Sequence, residues 1–583
     1  MIVIKTPVIL KGRPFPLFSQ GYGKTGFSSL QLASRMLAVM TASNLSAALP
    51  MPPDDGPPPV PAVASSTDST ATNATTQKLY IKEFRVLGAH QLLGREEIEK
   101  AVYPFMGPER TPDDVEEARA ALEKVFQDKG YQTVSVQIPQ QTGKRGIVFL
   151  QVIEEKVGRL NVEGSRFFSL DAIKKKVPSL APGTVPNFNQ VASEIMSLNQ
   201  WSDRQITPTL SPGFEPGTVD VDLNVKDTLP WHGSAEFNNR YSPYTVPYRI
   251  DLASSYDNLW QLGHSIGGSF QVAPQAPSEA LNWNVFYTAR FPRLDWLKLN
   301  LSYSQQNSDV STLGGSAVNG AGQTAAFRFL FALPSERNFS QSLSAGIDFK
   351  HLDQAINPAV GGAAIPPTPL NYWPIRINYN ALWDPKDSTT IFDAGLSFGI
   401  RGAILPVWDL TSYGNENDFA NLRYESDGGF IVFKADLSHT HELPGGFQLF
   451  GKVQGQISPD PLVYSEQFSG GGLDTARGYL EGTEAGDNAV FGSVELRSPS
   501  LLAGHLSVNE WRVYGFYDVG RLTINDPLPG QTSEWNMASY GAGTRVRLCN
   551  DLNGSLDLGI PLISQSPVMA NTLMATFRIF GEF

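Results

Sequence analysis

The sequence predicts two small α+β repeats followed by an all-β region, a C-terminal transmembrane barrel of about 16 antiparallel strands. Three observations carry that prediction. From Trp231 onward apolar and polar residues alternate with a period of two. No window holds the roughly 18 consecutive apolar residues of a membrane helix. The closing segment, Leu573 to Phe583, ends on an aromatic residue of its apolar face. Only helices and closed barrels satisfy every backbone group in lipid, so a chain that crosses without helices crosses with strands.

Bulk properties bound the rest. A chain of 583 residues exceeds one ordinary soluble domain. Charged residues make up only 17% and the net charge is -12, which argues against a nucleic-acid partner, because such a binder carries a basic footprint. The single cysteine, Cys549, excludes an internal disulfide framework and gives no zinc-type spacing. It reads as a packed strand residue.

The first 48 residues read as an export leader. Lys5, Lys11, Arg13, Lys24 and Arg35 precede the apolar run Met36 to Met40 and the small residues Ser46, Ala47 and Ala48. Basic, then apolar, then small is the order of a signal peptide, with cleavage expected near Ala48. Residues 49–77 hold Pro52, Pro53, Pro57, Pro58, Pro59 and Pro61 and then a Ser/Thr/Ala tract, the composition of an extended linker.

Residues 78–156 form the first repeat. Tyr80 to Leu87 reads as a strand closed by Gly88, and Thr111-Pro112 opens a helix, threonine as cap and proline in the first turn. Val115, Ala118, Leu122, Val125 and Phe126 form its apolar stripe, and Gly130 ends it. Strands Tyr131 to Ile138 and Gly146 to Glu154 follow. Residues 157–230 repeat the order: Leu160 to Gly164, a short helix from Leu170 to Val177, a helix capped by Asn187, then strands Gln205 to Ser211 and Val219 to Val225. Each unit is therefore β-α-α-β-β. A three-stranded sheet with two helices on one face leaves an open edge that can receive an extended peptide by strand addition. A pair of rigid spacers is the alternative reading.

Residues 231–583 supply the barrel. In Leu281 to Phe291, Leu281, Trp283, Val285, Tyr287, Ala289 and Phe291 share one face, with Asn282, Asn284, Thr288 and Arg290 on the other. Leu297, Leu299, Leu301 and Tyr303 against Lys298, Asn300, Ser302 and Ser304 repeat the pattern, as do Ile375, Ile377 and Tyr379 against Arg376, Asn378 and Asn380. At roughly 22 residues per strand plus turn this stretch holds about sixteen strands. Asn307 to Thr324 and Gln354 to Pro369 read as long loops. In the last strand Leu573, Ala575, Phe577, Ile579, Gly581 and Phe583 face one way, and Met574, Thr576, Arg578, Phe580 and Glu582 the other. A terminal aromatic so placed resembles the C-terminal assembly signal that barrel-assembly machinery reads in bacterial outer-membrane proteins.

Two repeats before such a barrel resemble the two-partner secretion transporters, the haemolysin-activator and filamentous-haemagglutinin exporter type, whose repeats are polypeptide-transport-associated (POTRA) domains. Two motifs carry the resemblance, which covers the chain from about residue 78 to its end. Gly470-Gly471-Gly472-Leu473-Asp474-Thr475-Ala476-Arg477-Gly478-Tyr479 resembles the family's Val-Arg-Gly-Tyr loop, with alanine for valine, and Phe516-Tyr517-Asp518-Val519-Gly520 fits its Phe-x-Asp-x-Gly strand. Alternation puts Trp511, Val513, Gly515, Tyr517 and Val519 toward lipid and Arg512, Tyr514, Phe516, Asp518 and Gly520 toward the lumen. The resemblance then implies that a long extracellular loop folds into the barrel and that its Arg477 meets Asp518, an Arg–carboxylate fork suited to a latch. The alternative leaves Arg477 on a solvated turn and Asp518 as an ordinary lumen charge. Many relatives carry an N-terminal plug helix; residues 49–77 are too rich in proline to suggest one.

The resemblance further implies a bacterial outer-membrane location with the POTRA domains in the periplasm, and a secreted adhesin- or haemolysin-like partner. Barrel-assembly machinery and outer-membrane lipid would be further partners. A factor that inserts or assembles other outer-membrane proteins is the alternative within the superfamily, although such factors usually carry more POTRA repeats. No enzyme, cofactor or metal is implied. Gly263-His264-Ser265-Ile266-Gly267 matches the Gly-x-Ser-x-Gly nucleophile pattern but falls in a barrel strand instead of a strand-to-helix turn. Gly23-Lys24-Thr25 lacks the upstream glycine of a phosphate loop, having Phe18 in its place. His439 and His441 share a strand face without a third ligand.

Overall fold

The structure is a computed structural model. It describes residues 78–583, less 89–91, 142–143, 200, 292–293, 308–309, 312–317, 320, 337, 353–368, 401–415 and 503–507. The expected leader, the Pro-rich linker and the Gly23-Lys24-Thr25 segment lie outside the described residues, as does all of Gln354 to Pro369 except Pro369. The described chain forms two compact units, 78–229 and 230–583.

The first unit holds two α+β repeats. In the first, helix α1 (Arg95–Val102) precedes helix α2 (Pro112–Asp128). Thr111 caps α2 by accepting the Asp114 N–H, Pro112 occupies its first turn, and Gly130 (φ +96°) turns the chain out of it. Leu122 and Phe126 from α2 are fully buried against Leu150 of the sheet. That sheet places Ile147–Glu154 in the centre, parallel to Glu83–Leu87 and antiparallel to Val134–Gln137.

One expectation is corrected here. The strand expected over Tyr80 to Leu87 breaks at Lys82, whose N–H donates to the Gly146 carbonyl (2.8 Å). The preceding piece, Leu79–Ile81, pairs with Gly107–Arg110 in a separate ribbon, so the order is β-β-α-β-α-β-β. Glycine and proline in Gly107-Pro108 do not read as a strand, which is why the ribbon is invisible to propensity. The second repeat keeps the expected order. Lys156–Glu163, helix α3 (Leu170–Lys175), helix α4 (Phe188–Leu198), Arg204–Pro212 and Thr218–Asp227 form a sheet with Thr218–Asp227 central. Asn187 caps α4 through the N–H groups of Asn189 and Gln190. Ile173, Leu180, Ile206 and Leu223 fill the core.

The second unit is a closed antiparallel barrel of sixteen staves. The first five are β1 (Trp231–Asn238), β2 (Arg249–Leu259), β3 (His264–Val272), β4 (Leu281–Phe291) and β5 (Leu294–Gln306). Then come β6 (Gly322–Ala332), β7 (Phe339–Leu352), β8 (Ile375–Trp383, extended by Leu370–Tyr372) and β9 (Ser388–Gly399). β10 (Phe430–Glu442), β11 (Gln448–Ile457) and β12 (Asn488–Arg497) follow. The last are β13 (Val508–Thr523), β14 (Glu534–Leu548), β15 (Leu552–Pro561) and β16 (Met574–Glu582). β16 pairs with β1 from Arg578↔Asn238 to Glu582↔Ser234 and shuts the ring.

The period-two pattern sets inside and outside. Val285 is 48% exposed on the outer face of β4 while Asn282 is fully buried on the inner one. Tyr517 and Val519 lie outside on β13; Tyr514, Phe516 and Asp518 lie inside. Connections at the end where β1 begins are short, apart from that between β12 and β13, and those at the other end are mostly longer. Two expectations change. Thr324 belongs to β6, so the loop expected over Asn307 to Thr324 ends earlier. Cys549 is exposed with φ +53° in the turn between β14 and β15, not packed in a strand. No described helix is long and apolar enough to cross a membrane.

Candidate functional site

Between β11 and β12 the chain runs from Ser458 to Asp487 inside the barrel, and this loop carries the first of the two motifs. Its legs pair as a ribbon, Phe468–Gly470 with Glu484–Gly486. The foot is tied by the buried Asp487 carboxylate, which accepts the Leu462 N–H (3.0 Å), the Gln467 side-chain amide (2.9 Å) and the Asn525 N–H (2.7 Å). Near the apex Arg240, 3% exposed, donates to Glu481 (2.6 Å) and to Asp474 (2.7 Å). Those bonds orient Ala476 to Tyr479 toward the wall.

Arg477 then meets Asp518 in a fork. Its Nε donates to Oδ2 (2.8 Å) and its Nη2 to Oδ1 (2.7 Å), while its own backbone N–H also reaches Oδ2 (3.0 Å). Both residues are buried, so the fork is desolvated and directional. The guanidinium lies 3.6 Å from the Phe516 ring centroid, a cation–π contact that assigns the motif's phenylalanine a partner. The motif's glycine has a different task. Gly520 lies under the Phe491 ring, and a Cβ there would fall 2.0 Å from it.

Gly478 turns the chain back with φ +90°, against Gly559 of β15, so close that a Cβ would sit 3.1 Å from the Gly559 carbonyl carbon. Tyr479 is buried and donates its hydroxyl to the Ile563 carbonyl (2.7 Å). Ala476, where the family motif has valine, is fully buried among Phe468, Phe491, Leu522 and Met537.

Two more carboxylates belong to the site and were not singled out from the sequence. Glu495 accepts from Arg477 Nη1 at 2.5 Å, and Asp557 lies 3.6 Å from the same nitrogen. Ser493 bridges, accepting from Arg477 Nη2 (3.0 Å) and donating to Asp518 (2.7 Å). Arg497 and Arg545 balance part of the acid through Glu495 (2.7 Å and 3.2 Å). The alternation rule finds both carboxylates: Val490, Val494 and Leu496 are exposed on the outside of β12, and Glu495 is inside.

The other residues tested for chemistry sit apart from this site. Ser265 lies on β3, paired with Thr288 of β4, and no helix follows it. The His439 and His441 rings stack 6.1 Å apart on β10, and His439 bonds Thr390 (2.8 Å).

Comparison with known proteins identifies the family and the fold. A profile of the family described as haemolysin secretion/activation protein ShlB/FhaC/HecB matches residues 217–546, and one for the ShlB-type POTRA domain matches residues 79–155. The outer membrane transporter CdiB of Dickeya dadantii is 20% identical over 482 residues, 78% of each chain. CdiB-2 of Burkholderia pseudomallei is 24% identical, with 79% of this chain and 76% of its own length covered. The solved structure of CdiB from Escherichia coli superposes with a TM-score of 0.60 at 18% identity, covering 89% of this chain and 93% of that one. BamA from Haemophilus ducreyi reaches 0.52 at 13% identity, over 86% of this chain and all of the other. At those identities the two superpositions speak for a shared fold.

Proposed function

The chain belongs to the haemolysin secretion/activation (ShlB/FhaC/HecB) family, and from that premise we propose that the Arg477 loop is the gate of its pore. It is an outer-membrane transporter of two-partner secretion, with POTRA repeats in the periplasm and the barrel in the outer membrane. The short-turn end of the barrel then faces the periplasm and the Ser458–Asp487 loop enters from outside. The reading as an assembly factor for other barrels rests on the fold shared with BamA, and the family match favours export.

One observation carries the gate: a loop inside the conduit, held to its wall by a buried arginine fork. Releasing Arg477 removes the ion-pair partner of Asp518 and Asp557 and leaves Glu495 with Arg497 and Arg545. Breaking a buried pair on one side costs about 3–5 kcal/mol, so the closed arrangement dominates until something favours the open one. A ligand shifts such an equilibrium only by its differential affinity, and inverting a 1:99 population takes roughly 5.5 kcal/mol. The exported partner supplies that term by engaging the repeats and the lumen together. We infer that this partner is adhesin- or haemolysin-like and unfolded during passage, and its folding outside makes the transfer directional without a cofactor or catalysis.

The repeats capture the partner by strand addition, and the candidate edges are unequal. Val136 on one edge is taken: its N–H donates to Glu123 (3.4 Å) and its carbonyl accepts from Arg119 (3.2 Å). In the second sheet Arg204–Pro212 carries Pro208 and Pro212, which blunt an edge. Val157 at the start of the opposite edge is bonded to Thr184 (2.8 Å) and Gly183 (2.7 Å). Among the described residues, no side chain or turn is bonded to the outer edge of Glu83–Leu87. That edge receives the partner.

The test compares the full chain with a variant lacking residues 78–229 and with Arg477→Ala, following the partner in culture medium. Both changes are expected to reduce secretion. Undiminished secretion from both would overturn the reading.

A further inference from the structure

We propose that the gate loop is a strut with a second charged anchor of opposite sign to Arg477, supplied by Glu466 on its stem, so that opening requires a release at the stem as well as at the tip, where Arg477 and the Arg240 contacts hold it. The inference rests on the reading of the Arg477 loop as a gate.

Eleven positions before Arg477, the same loop places Glu466, 2% exposed, against β7 and β8. Its carboxylate accepts from Lys350 Nζ (2.6 Å), from the Tyr372 hydroxyl (2.9 Å) and from Arg376 Nη2 at both oxygens (3.0 and 3.1 Å). Arg376 also lies 3.1 Å from Asp348, which Arg328 grips through both oxygens (2.5 and 2.6 Å). At this place the wall is cationic and the loop supplies the acid. At Arg477 the wall is acidic and the loop supplies the cation. β9 to β11 lie between the two groups, so the anchors hold the loop to different sectors of the ring.

Apolar packing reinforces this second attachment. Leu462 and Val463, just before Glu466, are buried in one cluster with Tyr372, Phe430 and Phe419. Phe419 belongs to helix α5 (Glu416–Leu422) of the preceding long loop, and its ring meets Tyr372 edge-on at 5.7 Å. The stem is therefore seated in a greasy socket with one charged key. Withdrawing Glu466 would leave Lys350 without its acid and Arg376 with Asp348 alone, the same kind of penalty as at the tip. Because each end carries the complement of its own wall, an end that comes loose cannot rebind at the other anchor, and the loop returns to one register.

The experiment records ion conductance of the purified full chain in planar lipid bilayers, for the unmodified protein, Arg477→Ala, Glu466→Gln and the double variant, each first checked for heat-modifiable migration of the folded barrel. Glu466→Asp tests whether charge is the active property. Should Glu466→Gln fail to fold, Lys350→Gln removes one of its cations instead. The expected result is a rise in open probability with either single change, a rise of about tenfold or more in the double variant over either alone, and near-normal closure with Glu466→Asp. If Arg477→Ala opens the pore but Glu466→Gln (or Lys350→Gln in its place) adds nothing, alone or in combination, the second anchor is overturned and the gate stands. If Arg477→Ala itself leaves conductance unchanged, the gate reading fails.

Discussion

Phe583 and Gly233 exchange both backbone hydrogen bonds across the seam between β16 and β1, each 3.0 Å long. The Phe583 ring covers Gly233 so closely that a Cβ there would fall 2.3 Å from it, and Trp231 meets the ring edge-on at 5.1 Å. On the lumen side of the same seam Arg578 forks onto Glu236 (2.6 and 2.7 Å). The terminal aromatic therefore has a place in the finished barrel in addition to the proposed part in assembly.

Separating those two parts gives the first prediction. Phe583→Ala loses an aromatic pair worth about 0.5–1.5 kcal/mol, too little to unfold a closed barrel. If assembly machinery reads the ring, folded barrel in outer-membrane fractions should nonetheless fall severalfold, and Phe583→Trp should restore it. Heat-modifiable gel migration measures this. Equal yields for the alanine and tryptophan variants would leave the ring with packing alone.

A second prediction follows from the asymmetry of the fork. Asp518→Asn removes one charge but leaves Arg477 against Glu495 at 2.5 Å, with Asp557 at 3.6 Å. Arg477→Ala leaves three buried carboxylates with two arginines, a loss of about 3–5 kcal/mol of loop attachment. Bilayer conductance should therefore rank Arg477→Ala above Asp518→Asn, and Asp518→Asn above the unmodified chain. An order with Asp518→Asn the more open would mean that Glu495 and Asp557 do not share the arginine.

Much of this was legible from the alternation of residues, for a physical reason. In a membrane barrel every strand residue faces either lipid or lumen, so one rule assigns Asp518, Arg578 and Asn282 without any knowledge of the fold. What the rule could not supply is partnership across the lumen. Glu495 and Asp557 are visible as inward acids, but only the path of the loop brings Arg477 to them. Glu466 sits in a loop with no strand pattern at all, and its partners Lys350 and Arg376 lie 116 and 90 residues before it in the chain. The extra ribbon of Gly107–Arg110 and the turn at Cys549 failed for local reasons: glycine and proline hide a strand, and a hairpin ending one residue earlier moves a side chain out of the ladder.

Acid should loosen the second repeat. Burial pushes the Asp227 carboxyl up, but the N–H groups of Phe167 and Arg166 and the Ser165 hydroxyl pull harder, so it titrates below the ordinary carboxylate value. A depressed folded value means stability that is present above the unfolded pKa, about 3.9, and lost as pH falls through the lower folded one. Hydrogen exchange of Lys156–Asp227 in the full chain should accelerate as pH drops below about 4, after correction for intrinsic rates. Asp227→Asn should cost about 1–3 kcal/mol at neutral pH and flatten that dependence. An unchanged profile in the variant would assign the acid sensitivity elsewhere.

The unequal sheet edges give the last prediction. Successive residues of a strand point their N–H groups to opposite sides, so of Arg85→Pro and Val86→Pro one removes an outward donor and the other a ladder bond to Ile147–Glu154. The variant that keeps the ladder should fold normally and yet lose binding of the unfolded partner, since strand addition draws its affinity from main-chain hydrogen bonds. A matched proline at Leu210, whose N–H faces outward in step with Ile206 and Pro208 on the edge already blunted, should leave binding within about twofold of the unmodified chain. Partner binding to the full-length transporter, followed by surface plasmon resonance, separates the cases. If neither proline in Glu83–Leu87 weakens capture while Leu210→Pro does, the partner uses the second sheet despite its prolines.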